Sequence, residues 1–517
     1  MDLLHYINEN FTELISQIVE HFKLTLSAIS IAAITGVSLG ALISVRQRFA
    51  PSVLAIVNVF QTIPSLALLG FLIPLIGIGI LPAIFALFIY ALLPIVRNTY
   101  TGITQIDSST IEAAESLGMN TWQLLSKVQL PIATPIIIAG IRTASVINVG
   151  IATLCALIAA GGLGESIFGG ISLNNTDMIL AGAIPASVMA LLFDGAFGIV
   201  QRFSSRKPGT TLILFITLFI VTALLFIPKA SKSRLVAGFN TEFIQREDGF
   251  IGLDSVYQLP VEIKELEIGL MYKALANGDV DFIDGFSTDG RVEAYDLVLL
   301  EDDKSYFPPY YAAPLVREET LAKYPGVRTA LQKLTGNLSA KKMSALNYEV
   351  DQNKKSPAEV AQAFLKELGI TTAKVKENKE AQIIIGCKSF TESYILAHLF
   401  GQIIEAETGL TVGLKTGFGG TQLLFNALTA GAVDLYPEYT GTGMLVLLQP
   451  EKELLAKLLA DRKVFDQYLI SEFKNRHQLQ WLGQLGFNNT FAIMMRKEQA
   501  DALNIRSISD LSQYLKN

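Results

Sequence analysis

The sequence predicts two domains of different kinds: an all-α membrane domain of about six spans, followed by an α/β domain of two lobes. Up to about residue 228 the chain is a series of long apolar runs, whereas residues 229–517 mix charged residues, Gly and aliphatic residues as soluble domains do. In this second part, short β-branched runs alternate with longer helical patterns, which indicates α/β architecture. The predicted boundary between the domains therefore lies at residue 228.

Six apolar segments of the first part are long enough to cross roughly 30 Å of hydrocarbon. Cytoplasmic loops retain Lys and Arg, and here Arg46, Arg97 and Arg202 follow the first, third and fifth segments. Residues 1–22 contain neither residue type and no basic signal-peptide region, so we expect the N-terminus to be retained and to lie outside. Six spans then place everything after Pro228 outside. The predicted spans are Lys23–Val45, Val53–Gly77, Leu81–Val96, Ile136–Ala160, Met178–Val200 and Thr210–Ile227.

The loop between the third and fourth segments, at about 109–131, carries the most specific pattern of the membrane part. A helical pattern from Ser109 to Lys127, interrupted at Gly118 and ended by Leu130-Pro131, predicts two short helices on the cytoplasmic face. An amphipathic helix resting on the membrane surface is the alternative. The loop resembles the EAA loop of bacterial ABC importer permeases. The matching positions are Glu112, Ala113, Ala114, Gly118, Leu130 and Pro131.

This resemblance implies a type I ABC importer permease whose loop docks on a separate cytoplasmic ATPase subunit. The segments "QTIPSLALLG" at Gln61–Gly70 and "AAGGLGESI" at Ala159–Ile167 also resemble permeases for quaternary amines. No G-x-x-x-x-G-K-[ST] phosphate loop occurs in the sequence, so ATP would be used by the partner subunit and no cofactor is expected in this chain. Because a permease of six spans normally pairs to enclose one pathway, we expect a homodimer.

A motif recurs in the soluble part: "ALANGDVDFIDGF" begins at Ala274 and "ALTAGAVDLYPEY" begins at Ala427. Each copy fits the second half of a helix, a Gly that ends it, and a strand whose end projects an aromatic side chain and hydroxyl groups. Chance similarity of two α/β connections is the alternative. The repeat predicts two lobes, each of which contributes one strand end to a shared cleft.

Several segments resemble the substrate-binding proteins of osmoprotectant importers for glycine betaine, choline and carnitine, among them "GFNTEFIQREDGF", "FPPYYAAPLVR", "IGCKSFTES" and "DLYPEYTGT". The resemblance covers nearly all of Ser233–Asn517 and implies a two-lobed fold like that of periplasmic binding proteins. The segments that come first in the family come second here, which predicts a circularly permuted domain joined at Ile370–Ala381. Lobe A would then be continuous, at about 292–480, and lobe B would comprise about 234–291 plus 481–517.

The resemblance also assigns a binding site. A quaternary ammonium group cannot donate hydrogen bonds and is held by aromatic faces. The family's cage positions fall on Tyr439, Tyr310, Phe491 and Phe286, of which the last two are usually Tyr. A carboxylate end of the ligand needs cationic and hydroxyl donors. Those positions fall on Lys388, Arg246 and Thr442. Retention of Arg246 favours a zwitterion such as glycine betaine, carnitine or ergothioneine over choline.

The predicted function is that of a membrane subunit of an ATP-driven importer for a quaternary-ammonium compound. We expect it in the bacterial cytoplasmic membrane with the binding domain on the extracytoplasmic side. A ligand-gated channel or a membrane sensor is the alternative, but no pore loop or signalling domain is recognisable. An enzyme is not expected, since the sequence has no nucleophile elbow and its four His residues are scattered. No metal site is predicted, and the net charge of −6 without basic tracts gives no sign of nucleic-acid binding.

Overall fold

A computed structural model describes residues 3–173, 175–204, 217, 235–371 and 381–516. The described residues form two compact units, one that contains residues 3–170 and 175–204 and one that contains residues 235–371 and 381–516, and each has its own hydrophobic core. The predicted sixth span, Thr210–Ile227, apart from residue 217, the predicted domain boundary at 228 and most of the predicted joint at 370–381 lie outside the described residues.

The first unit is entirely helical among its described residues, because a helix satisfies its own backbone hydrogen bonds in hydrocarbon. Four of its helices are long and apolar enough to cross a membrane, and a bent pair of shorter helices is a fifth candidate. Helix Phe11–Val45 packs along Ile80–Thr104, which packs on Leu130–Ala152. The helices are Leu3–Glu9, Phe11–Val45, Ala50–Thr62, Ser65–Ile76, Ile80–Thr104, Ser108–Ser116, Thr121–Leu124, Leu130–Ala152, Gly164–Ser172 and Thr176–Ser204.

The segment predicted as one span, Val53–Gly77, is not a single straight helix. The structure has two helices, Ala50–Thr62 and Ser65–Ile76, with a bend of 96° between them. Ile63 is extended at the break, because the ring of the following Pro64 disfavours a helical backbone at the residue before it. The freed carbonyl of Ile63 accepts a hydrogen bond from the hydroxyl of Tyr90. The break is therefore satisfied within the unit.

The EAA-like loop forms helix Ser108–Ser116 and a second helical stretch from Thr121, separated by Gly118 in the left-handed conformation at φ +81°. The predicted interruption at Gly118 is therefore confirmed. The predicted end at Leu130-Pro131 is wrong, because the second stretch continues through a π-helical turn into the spanning helix. Pro131 lies in the first turn of helix Leu130–Ala152, where a missing N–H costs least.

Helix Phe11–Val45 packs closely against helix Ile80–Thr104 at two glycines spaced four residues apart. A Cβ atom on Gly36 would lie 2.8 Å from Cγ2 of Ile95, and one on Gly40 would lie 2.6 Å from Cβ of Thr99. Small residues at this spacing allow the backbones of membrane helices to pack by direct van der Waals contact.

We expect Gly40→Leu to disrupt this packing and to lower the apparent melting temperature of the purified chain by about 5 °C or more. Gly70→Leu is the matched control, since Gly70 is exposed on its helix and a Cβ atom there would meet nothing within 4 Å. Equal melting temperatures for the two variants would show that the close contact at Gly40 does not stabilise the unit.

Two five-stranded sheets organise the second unit, and they confirm the predicted two-lobed α/β fold. The strands are β1 Val236–Phe239, β2 Glu262–Glu265, β3 Phe282–Phe286, β4 Leu297–Leu299, β5 Ala312–Arg317, β6 Ile383–Lys388, β7 Val412–Phe418, β8 Leu435–Tyr439, β9 Leu479–Trp481 and β10 Phe491–Arg496. The sheet of lobe B has the order β2-β1-β3-β10-β4, and the sheet of lobe A has the order β7-β6-β8-β5-β9. In each sheet the first three strands are parallel and the fourth is antiparallel.

Two crossover segments, 300–311 and 482–490, connect the lobes, and they pair with each other where Tyr311 and Asn488 form an antiparallel bridge. Among the described residues, lobe B therefore comprises 235–299 and 491–516, and lobe A comprises 312–371 and 381–481. The predicted start of lobe A at about 292 is wrong, because β4 pairs with β10 in the sheet of lobe B.

Helices cover the faces of both sheets and bury their β-branched and aromatic side chains. They are Thr241–Gln245, Phe250–Tyr257, Ile268–Asn277, Arg291–Ala294, Glu318–Lys323, Gly326–Gln332, Ala340–Asp351, Pro357–Glu367, Thr391–Thr408, Thr421–Thr429, Thr440–Thr442, Lys452–Ala460, Arg462–His477, Lys497–Leu503 and Ile508–Lys516.

The repeated motif occupies equivalent positions in the two lobes. In each copy a helix is followed by a left-handed glycine, Gly278 or Gly431, and the chain then enters the central strand, β3 or β8. The Asp that follows the shared Val, Asp281 or Asp434, joins the central strand to its neighbour by two hydrogen bonds. Its backbone N–H donates to a carbonyl at the beginning of β1 or β6, and its carboxylate accepts from a backbone N–H there, at 2.7–2.8 Å. The motif thus builds the same strand junction twice.

Candidate ligand-binding site

A cavity between lobe A and lobe B contains all seven side chains predicted for the site. The central strands β3 and β8 end in it at Phe286 and Tyr439, as the repeat predicts, and a crossover segment brings in Tyr310. The predicted residues that line it are Tyr439, Tyr310, Phe491, Phe286, Lys388, Arg246 and Thr442.

Five aromatic side chains form a continuous surface, the aromatic wall. Phe286 stacks on Phe491 with ring centroids 5.3 Å apart and on Phe390 at 5.4 Å. Tyr310 meets Phe491 edge-on at 5.5 Å, and Phe390 lies 6.5 Å from Tyr439. Phe286 and Phe491 are adjacent because they are directly opposite each other in the pairing of β3 with β10. The wall presents several π-faces and ring edges to one cavity.

Both tyrosine hydroxyls of the wall are held by buried carboxylates. Tyr310 donates to Asp248 at 2.5 Å, and Tyr439 donates to Glu392 at 2.6 Å. Burial raises the pKa of both phenols well above the usual value, so they stay protonated and remain donors. Each hydrogen bond fixes the orientation of its ring, which gives the wall a defined shape.

The two cations predicted to bind a ligand carboxylate already have counterions. Arg246 donates to both oxygens of Asp248 and, at 3.1 Å, to Glu242. Lys388 donates to Glu438 at 2.9 Å, because β6 and β8 are neighbouring strands. Among the described residues these bonds use three of the five guanidinium N–H groups and one of the three ammonium N–H groups. Both side chains therefore keep donors for a ligand.

Burial and ion pairing act in opposite directions on the charged groups. Burial disfavours the charged forms of Arg246 and Asp248, but their mutual attraction is stronger, so the pKa of Arg246 lies well above its usual value and the pKa of Asp248 lies below it. Asp284 forms no ion pair with the residues that the structure describes. Burial raises its pKa to about 8 although Asn240 donates hydrogen bonds to it. The Arg246–Asp248 pair is thus ionised at neutral pH, whereas Asp284 is mostly protonated.

Sequence reasoning missed several residues of the cavity. Phe390 lies two residues after Lys388 inside the segment "IGCKSFTES", and it completes the aromatic wall. Glu242 lies four residues before Arg246, a spacing at which side chains of a helix pair. Thr421 of lobe A donates to Glu242 of lobe B at 2.7 Å. The other unpredicted lining residues are Asn240, Ile268, Ser389, Gly419, Gly420 and Asn489.

The site suits a ligand with an apolar cationic head and a polar tail. Aromatic faces bind a quaternary ammonium group without hydrogen bonds, and the free N–H groups of Arg246 and Lys388 lie at the same cavity as the hydroxyl of Thr442. The described residues contain no cluster of His, Cys, Asp and Glu that could hold a metal ion. Fold and site together define a two-lobed substrate-binding domain carried on the same chain as a polytopic helical membrane domain.

Comparison with known families identifies both domains. Residues 227–367 and 381–517 match the substrate binding domain of the ABC-type glycine betaine transport system, and the chain belongs to this family. Residues 28–210 match the inner membrane component of binding-protein-dependent transport systems. The chain is therefore a permease fused to a substrate-binding domain, and both predicted fold classes are confirmed.

Individual relatives are transport proteins. The carnitine transport permease protein OpuCB of Listeria monocytogenes is 43% identical over 196 residues, which cover 38% of this chain and 90% of that protein. The choline transport system permease protein OpuBB of Bacillus subtilis (strain 168) is 39% identical over 200 residues, 39% of this chain and 92% of that protein. The ergothioneine transport permease/ergothioneine binding protein EgtU of Helicobacter pylori (strain G27) is 27% identical over 479 residues, 65% of this chain and 87% of that protein. These relatives support an importer subunit and not the channel or sensor alternative.

Proposed function

We propose that this chain is the membrane subunit of an ATP-driven importer that captures a betaine-type quaternary ammonium compound, of the glycine betaine, carnitine or ergothioneine kind. The observation that carries the proposal is the aromatic wall at a cavity that also contains Arg246 and Lys388. Each desolvated contact between an ammonium group and an aromatic face is worth about 0.5–2 kcal/mol. The chain belongs to the family of substrate-binding domains of glycine betaine transport systems, and its relatives include carnitine and ergothioneine transport proteins. Both findings support the same ligand class.

In the proposed complex the ammonium group lies against the aromatic wall and the carboxylate points away from it. The carboxylate accepts hydrogen bonds from the free N–H groups of Arg246 and Lys388 and from the hydroxyl of Thr442. Arg246 belongs to lobe B and the other two residues belong to lobe A. The ligand therefore joins the lobes and favours the closed cleft. Choline, which has no carboxylate, gains less from these donors.

The proposal includes a cytoplasmic ATPase subunit and a homodimer of this chain in the bacterial cytoplasmic membrane, with the binding domain on the extracytoplasmic side. The match of residues 28–210 to a transport permease supports an ATPase partner. Leu117 and Trp122, on either side of Gly118, are 79% and 64% exposed and offer apolar side chains for a helix-in-groove contact. The distribution of Lys and Arg supports the orientation. ATP is used by the partner subunit.

Calorimetric titration of the full-length chain in lipid nanodiscs tests the proposed ligand class. We expect a carboxylate-bearing quaternary amine to bind, choline to bind more weakly, and Tyr439→Ala to weaken binding at least about tenfold because it removes one ring of the aromatic wall. Tyr514→Ala is the matched control, since Tyr514 is 43% exposed and lies in the C-terminal helix. If glycine betaine, carnitine, ergothioneine and choline all fail to bind a well-folded chain, the proposed ligand class is wrong.

A further inference from the structure

We infer that Glu242 determines how the site discriminates between quaternary amines by charge: its carboxylate disfavours ligands that carry a carboxylate relative to those with a net positive charge. The inference rests on the proposed function, because it concerns the same cavity and the same ligand class. It assigns to Glu242 a role in specificity that is separate from those of the aromatic wall and of the two cations.

Glu242 lies across the cleft and keeps part of its carboxylate available to a ligand. Its Oε1 accepts a hydrogen bond from Arg246 in lobe B at 3.1 Å and one from Thr421 in lobe A at 2.7 Å. The side chain lines the cavity and is 21% exposed. Oε2 makes no hydrogen bond with the described residues. A ligand in the cavity therefore meets a negative charge and a vacant acceptor atom.

The positive and negative charges at the cavity do not cancel, because the negative charge of Glu242 is not fully compensated. Among the described residues, three charged side chains line the cavity: Arg246, Lys388 and Glu242. Each cation has a closer buried carboxylate as its partner, since Arg246 binds both oxygens of Asp248 and Lys388 binds Glu438 at 2.9 Å. Glu242 shares Arg246 with Asp248, and among the described residues it forms an ion pair with no other cation. Its charge is left in excess.

This excess charge acts differently on two ligands that share a head group. Glycine betaine and choline both carry a trimethylammonium group, but the former ends in a carboxylate and the latter in a hydroxyl. A carboxylate that accepts a hydrogen bond from Arg246 comes close to Glu242, because both anions then share one guanidinium group. Like charges repel strongly in a partly desolvated site. Choline avoids that repulsion, and its net positive charge is attracted.

The test compares the affinities of glycine betaine and choline for the full-length chain and its variants by calorimetric titration. Glu242→Gln keeps the size of the side chain and an acceptor for Thr421 but removes the charge. We expect the ratio of glycine betaine affinity to choline affinity to rise about tenfold or more. The matched control is Glu247→Gln, which removes the same charge from an exposed position five residues along the chain and should leave the ratio within about twofold.

Thermal melting of each variant separates an effect on selectivity from an effect on folding. If Glu242→Gln does not fold, Glu242→Met provides a second neutral side chain of similar length and must show the same rise. A folded neutral variant with the wild-type ratio overturns the inference and leaves the proposed function intact, as does an equal rise in Glu247→Gln. A wild-type chain that binds neither glycine betaine nor choline overturns the inference, and one that also fails to bind carnitine and ergothioneine overturns the proposed function as well.

Discussion

Replacing Arg246 with Met should destabilise the binding domain by about 3–5 kcal/mol, because it leaves the carboxylate of Asp248 buried without its cation. The two residues are 8% and 7% exposed, and the guanidinium group binds both oxygens of the carboxylate. For a domain of this size we expect the melting temperature to fall by about 5–15 °C. The measurement is thermal unfolding of the full-length chain without ligand.

A double variant separates the loss of stability from the loss of binding. Arg246→Met combined with Asp248→Asn removes both charges and keeps an acceptor for the hydroxyl of Tyr310. Most of the stability should return, because neutral replacements of a buried ion pair are often tolerated. Glycine betaine should nevertheless bind at least about tenfold more weakly than to the wild type, since the carboxylate has lost its charged donor. A double variant with wild-type affinity would show that Arg246 does not bind the ligand carboxylate.

The aromatic wall is the part of the site that the sequence predicts best, because its residues are tied to strand ends. Phe286 and Tyr439 end the central strands of the two copies of the repeat, and a repeated junction places equivalent residues at equivalent positions. The crossover segments add Tyr310 and bring Phe491 opposite Phe286. Phe390 could not be predicted from the pattern, since a single aromatic residue before a helix is as typical of a core as of a site.

The pairing of the charges could not be predicted, because it depends on which strands become neighbours. Lys388 at the end of β6 and Glu438 in β8 are far apart in the sequence, and no local pattern relates them. The sequence predicts only that Lys388 and Arg246 bind a ligand carboxylate and shows no counterion for either side chain. In the fold each is partly occupied by a carboxylate of the protein, so the site offers fewer donors and less positive charge than its residue types suggest.

In the membrane part, too, the sequence predicts the helical segments but not how they bend. Hydropathy reports how long an apolar segment is but not its direction, so Val53–Gly77 reads as one span although the chain bends by 96° at Pro64. Proline has different consequences at the two positions: the chain breaks at Pro64, whereas at Pro131, where the sequence predicts a helix end, the helical stretch continues into the spanning helix. The surrounding packing decides between the two.

Glu392→Gln should weaken the binding of all quaternary amines about ten- to a hundredfold, because Glu392 fixes the aromatic wall to both lobes. Its carboxylate accepts four hydrogen bonds. The donors are the hydroxyls of Tyr439 and Thr288, both at 2.6 Å, and the amides of Asn489 at 2.8 Å and Asn347 at 3.1 Å. Tyr439 and Asn347 belong to lobe A, Thr288 to lobe B and Asn489 to a crossover segment. Glu392 therefore connects the aromatic wall to both lobes and to a crossover segment.

Glutamine has the shape of glutamate but replaces one acceptor oxygen with an NH₂ group. In either orientation that group faces an asparagine amide, because each carboxylate oxygen accepts from one amide. A buried donor left without an acceptor costs about 1–3 kcal/mol. The effect should be equal for choline and glycine betaine, since Glu392 acts through Tyr439 and not through the ligand carboxylate. The matched control is Glu293→Gln at an exposed position of lobe B. A loss confined to glycine betaine would instead place Glu392 in the recognition of the carboxylate.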